Sequence, residues 1–132
     1  IASCLVGSEM CIRDSYTSAY STPSLDKLVR TFVYDRQGKG NFTVGDEFTA
    51  NAPIRFETAI TTQANWKIID DTHLLLTTGT EQMTVTIEAS GKVAFTSETI
   101  EVNSPAYKRI GISLKEQSKD GYIRLTMRTK QL

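Results

Sequence analysis

From Leu28 onward the chain is a succession of short runs in which apolar and polar side chains alternate, separated by turn residues. A period of two sends alternate side chains to opposite faces of a strand, whereas a helix needs a period near 3.6, so the pattern predicts antiparallel strands with one buried face. Met83, Val85, Ile87 and Ala89 alternate with Thr84, Thr86 and Glu88, and Ile54, Phe56 and Ile60 stand against Arg55 and Glu57. Ile110, Ile112 and Leu114 repeat the pattern, as do Ile123, Leu125 and Met127 with Arg124 and Arg128 interleaved. Gly38-Lys39-Gly40, Thr78-Gly79-Thr80 and Ser90-Gly91 supply turns, and the Asp-Gly pair of Ser118-Lys119-Asp120-Gly121 predicts a tight hairpin by tolerating positive φ. Pro53 and Pro105 mark strand starts or breaks, and residues 22–27 read as a loop. The expected fold class is all-β, an antiparallel meander forming a small barrel or sandwich.

The segment from Cys4 to Ser15 has a different character. It resembles a translated sequencing adapter, matching codon by codon the tail of a transposase-type library adapter. The resemblance implies that residues 1–15 are adapter-derived and that a single domain occupies residues 16–132. Tyr16, Ser18 and Tyr20 would then be the remnant of an incomplete first strand. Both cysteines, Cys4 and Cys11, lie inside this segment, so neither a disulfide nor a redox pair is expected of the remainder.

Lys and Arg together number 15, as do Asp and Glu, and the two signs are interspersed. That balance gives no electrostatic footprint for nucleic acid or an anionic membrane surface. No apolar stretch is long enough for a membrane-spanning helix.

Candidate chemistry is sparse. Trp66 is the only tryptophan, and its size favours a core anchor over a stacking platform. His73 is the only histidine; it lies beside Asp70 and Asp71 and could serve as a base, but one imidazole without cysteines makes no zinc site, which points to a surface turn. Asp46 and Glu47, with Asp35 upstream, lack the spacing of a calcium loop and read as a solvated loop. Gly38-Lys39-Gly40 has no following helix to form a phosphate loop, and Asn41-Phe42-Thr43 is a chance match to the glycosylation pattern. Arg109, Lys115, Arg124, Arg128 and Lys130 gather basic charge in the last two strands, where they would solubilise an outer face.

The run from Thr31 to Phe42, with its D-x-x-G-x-G-x-F turn, and the later run from Ala64 to Leu76 around Asn65-Trp66-Lys67-Ile68-Ile69-Asp70 together resemble bacterial lipocalin-like domains. That resemblance implies a meandering barrel in an exported or cell-envelope protein. In the reading it suggests, Phe42, Phe56, Trp66, Val85, Ile87 and Phe95 line the interior and hold a small apolar ligand. The competing reading is a cell-envelope module that contacts another protein through its basic terminal strands and takes no ligand. Neither reading involves a cofactor, a metal or nucleic acid. Without a nucleophile motif or a second histidine, no enzymatic activity is expected.

Overall fold

The computed structural model describes residues 2–6, 9–15, 24–38, 40–101 and 106–130, with the backbone alone for 2–6, 9–15 and Lys130. Eleven strands follow one another: β1 (Ala2–Val6), β2 (Glu9–Ser15), β3 (Leu25–Asp35), β4 (Asn41–Ile54), β5 (Glu57–Thr62), β6 (Asn65–Asp70), β7 (His73–Thr78), β8 (Glu81–Ala89), β9 (Val93–Ile100), β10 (Tyr107–Leu114) and β11 (Ser118–Lys130). They form two antiparallel sheets, a larger one of order β1-β2-β3-β4-β11-β8-β7-β6 and a smaller one of order β5-β10-β9.

This is an open sandwich, one of the two forms expected from the alternation, and not the closed barrel that the lipocalin-like resemblance implied. Closing a barrel needs the two end strands to pair. In this chain β1 and β6 are the opposite ends of the larger sheet, β11 inserts between β4 and β8, and β5, β9 and β10 leave to build the second sheet. β1 and β2 pair antiparallel, and β2 pairs with β3 from Ser15 opposite Val29 to Glu9 opposite Asp35. Tyr16, Ser18, Tyr20 and Pro105 lie outside the described residues.

Local turn chemistry is realised where glycine takes positive φ: Gly38 and Gly40 between β3 and β4, and Gly79 between β7 and β8. Asp120-Gly121 is a different case. β11 already begins at Ser118, the connection from β10 is Lys115 to Gln117, and neither Asp120 nor Gly121 has positive φ. The pair lies beside a register shift against β4, where the Ser118 hydroxyl donates to the Asp120 carbonyl at 2.7 Å. Gly121 is needed for a different reason: a Cβ there would come within 2.6 Å of the Ser90 hydroxyl and 3.1 Å of the Phe48 ring. Leu25 to Lys27, expected in a loop, begin β3.

The core fills the space between the inner faces. Leu74, Val85, Ile110 and Ile112 are fully buried and Ile123 nearly so, with Ile87, Leu114 and Leu125 beside them. The Phe48 and Phe56 rings stack at 4.6 Å between centroids, and Trp66 packs against the cluster from β6. One polar pair intrudes. Asp46, read from sequence as part of a solvated loop, is mid-strand in β4 and 2% exposed, and the Arg30 guanidinium donates to both of its carboxylate oxygens at 2.6 and 2.9 Å. The two residues are direct register partners across β3 and β4, so a single sheet geometry sets the bidentate contact.

The β6–β7 turn is closed by Asp70, whose Oδ1 accepts from the Thr72 amide at 2.8 Å and the Thr72 hydroxyl at 3.1 Å, and meets His73 Nδ1 at 2.8 Å. Nδ1–H is the donor when Asp70 is ionised. These contacts, the Thr72 amide first and the His73 ring second, hold the Asp70 carboxyl below the usual aspartate range.

Three outcomes test this account. Ile110→Ala should cost about 2–5 kcal/mol in urea unfolding, because a fully buried isoleucine leaves a cavity; a cost under about 1 kcal/mol would contradict its central place. Arg30→Ala should cost about 2–3 kcal/mol by the same measurement, because Asp46 is left buried and unpaired while Arg30 itself is partly solvated. Because its folded pKa is depressed, Asp70 adds stability above its unfolded pKa that is lost as pH falls through the folded one. Thermal melts of Asp70→Ala should therefore fall below those of the parent at neutral pH and converge with them in strong acid; a constant gap across the series would refute the assignment.

Candidate functional site

The outer face of the larger sheet carries a groove. Alternation along β3, β4 and β11 sends Leu28, Phe48, Ile123 and Leu125 inward and leaves Thr31, Thr43, Gly45, Glu47, Tyr122 and Arg124 on the outer side. The first section, about 390 Å³, is bounded by Thr31, Val33, Thr43, Gly45, Glu47, Tyr122 and Arg124. A second section of about 410 Å³ shares Glu47 and Tyr122 and adds Lys27, Thr49, Ser90 and Asp120. The third, about 440 Å³, shares Ser90 and Asp120 and runs between the β8–β9 and β10–β11 connections along Lys92 and Lys115. A fourth of about 290 Å³ shares those two lysines and reaches Asp71 and Thr72. Neighbouring sections share residues and run from the middle of the sheet to the end where the chain changes sheets; the fourth, bordered by the inward Ile87 and by Val93 of β9, opens between the two sheets and not on the outer face. The Lys115 amide donating to the Lys92 carbonyl at 2.9 Å ties the two loops together.

Gly45 gives the groove its depth. It sits in the row Thr31, Gly45, Arg124 and Glu88 across four strands. A Cβ at this position would meet nothing closer than the Arg124 side chain at 3.8 Å, so the floor is open. Arg124 is held on two sides: one N–H donates to Glu88 at 2.9 Å, and its guanidinium carbon lies 5.6 Å from the Tyr122 ring centroid. Glu47 stands opposite Tyr122 in register. Thr43 and Thr126 face one another across the β4–β11 pair, their hydroxyls 3.4 Å apart. The groove thus offers hydroxyls, carboxylates and one aromatic ring 37% exposed to solvent.

Of the six residues expected to line an interior site, Val85 and Ile87 are packed in the core, at 0% and 3% exposure, and Phe56, Trp66 and Phe95 lie against it. Phe42 stands apart, exposed and stacked on Phe32 at 6.0 Å between centroids. Among these six, Ile87 alone borders any of the four groove sections. His73, read from sequence as a surface turn residue, opens β7 just after the turn, partly exposed and in contact with Asp70. The basic residues of the last strands do not form one patch, since Arg109 pairs with Glu57 on the smaller sheet and Arg124 with Glu88 on the larger. No group of three or more His, Cys, Asp or Glu suited to a metal occurs among the described residues, and no helix among them is long and apolar enough to cross a membrane.

Gly45 and Tyr122 were not singled out from sequence, and Glu47, read there as part of a solvated loop, lies in β4. The available signal was the polar half of the alternation in β11, where Tyr122 and Arg124 flank Ile123.

No protein-family model matches the chain, and no curated protein matches it significantly. Similar solved structures do exist. A crystal structure of heparinase III is 15% identical with a TM-score of 0.71, the match covering 96% of this chain and 20% of that one. A heparinase III gene product with methylated lysines is 14% identical with a TM-score of 0.69, covering 98% and 21%. Another structure of a heparinase III gene product is 13% identical with a TM-score of 0.62 over the same shares. At these identities the likeness is one of fold, and this chain spans about a fifth of the length of the proteins it resembles.

Proposed function

We propose that this chain is a non-catalytic β-sandwich module that binds a polysaccharide along the groove of its larger sheet. The observation that carries this reading is the continuity of the groove: a path of linked sections suits a chain-like ligand better than a compact one. Its lining supports the same reading. Sugars present hydroxyls to carboxylates and threonines and an apolar C–H face to an aromatic ring, and Glu47, Thr43 and Tyr122 offer these partners within one stretch of sheet. The similar solved structures are heparinase III, an enzyme named for a polysaccharide, and this adds support at the level of fold. An outer ligand takes the place of the apolar one expected inside, because the central positions Val85 and Ile87 are already filled by their neighbours.

Electrophoresis through gels containing soluble polysaccharides tests the proposal. At least one glycan of a broad panel should retard the chain, and Tyr122→Ala should weaken that retardation roughly tenfold, the loss of one stacking platform. If no glycan in the panel retards the parent chain, the proposal fails.

A further inference from the structure

The charges along the groove bear on which polysaccharide it takes. A polyanion needs a run of cations free to pair with it, one for each acidic repeat. Among the described side chains the outer stretch has two basic ones, Lys27 and Arg124, and the charge of Arg124 is already met by Glu88 at 2.9 Å. Against them stand Glu47 and Asp120, whose carboxylates make no ion pair among the described residues. Further along, Lys92 and Lys115 share the walls with Asp71 and Glu116, so that the described side chains lining the path balance in sign without pairing there. A carboxylate or sulfate laid across Gly45 would leave water to sit between Glu47 and Glu88, with a single compensated guanidinium beside it. Sugar hydroxyls in the same place would donate charge-assisted hydrogen bonds to Glu47 and Asp120 and accept from the remaining N–H groups of Arg124.

From this arrangement we infer that the ligand of the groove is an uncharged polysaccharide and that Glu47 and Asp120 exclude polyanions from it. The inference rests on the reading of the groove as a glycan site and adds the class of glycan.

The test is calorimetric titration of the parent chain with neutral oligosaccharides (β-linked glucan, xylan and mannan fragments) and with heparin and polygalacturonate fragments. Each is run at about 0.02 and 0.2 M salt, which brackets strong and weak screening. A neutral ligand should bind with an affinity that changes less than about twofold between the two salts, as expected without ion pairing. The acidic fragments should show no binding. Glu47→Gln and Asp120→Asn should each weaken neutral binding about fivefold to tenfold through loss of a charged acceptor. The double variant should begin to bind heparin, an outcome that a purely structural role would not produce, and circular dichroism should show the parent fold. Binding of the acidic fragments in preference to the neutral ones would overturn the inference and leave the glycan site standing. Absence of binding by either class would overturn both.

Discussion

Strand β11 is the constraint on which both faces of the larger sheet depend. It pairs with β4 on one side and β8 on the other, and it joins two sets of strands that otherwise have no ladder between them. Its alternation sends Ile123 and Leu125 into the core and Tyr122 and Arg124 to the outer face. Because the side-chain period is two, one register serves both purposes, and a slip of one residue would bury the guanidinium and expose the isoleucine. The core and the groove are therefore the two sides of the same pairing.

The ion pair of Arg30 and Asp46 shows a second dependence. A carboxylate 2% exposed costs several kcal/mol to desolvate unless its oxygens are met, and Arg30 meets both because β3 and β4 hold the two residues directly opposite. The pair sits in the same inward row as Ile123, between the apolar core around Phe48 and the outlying aromatic residues Phe32, Tyr34 and Phe42. It is a polar interruption in an otherwise apolar face. The pairing fixes which residues of β3 and β4 may meet, since any other register would strand a buried charge.

Much of the strand pattern was legible in the sequence, for a physical reason. Val85, Ile87, Ile110, Ile112, Leu114, Ile123 and Leu125 are core residues, and each lies on the apolar side of an alternation that needs no knowledge of partners. What was not legible depends on partners distant in sequence. Asp46 reads as a surface carboxylate until Arg30 is brought opposite it, and Asp120-Gly121 reads as a turn until the pairing with β4 makes it part of a strand. Phe42 follows the inward alternation of Val44 and Phe48 yet is exposed, because three strands cover eight incompletely. The groove was hidden for the same reason as the open sandwich: both arise from the insertion of β11 between strands that no local signal relates to it.

That insertion also sets an order on the assembly of the molecule. Thr43 and Thr126 are neighbours across the central ladder yet lie 83 residues apart in sequence. The hairpins β3–β4, β6–β7–β8 and β9–β10 join strands close in sequence and can form early, whereas the ladders of β11 with β4 and β8 close long loops, a step whose entropic cost slows folding. Until it is complete, β4 and β8 each present a bare edge able to template a strand from another molecule. The strand that builds the groove is therefore also the one whose insertion covers the two edges open to association with other copies of the chain.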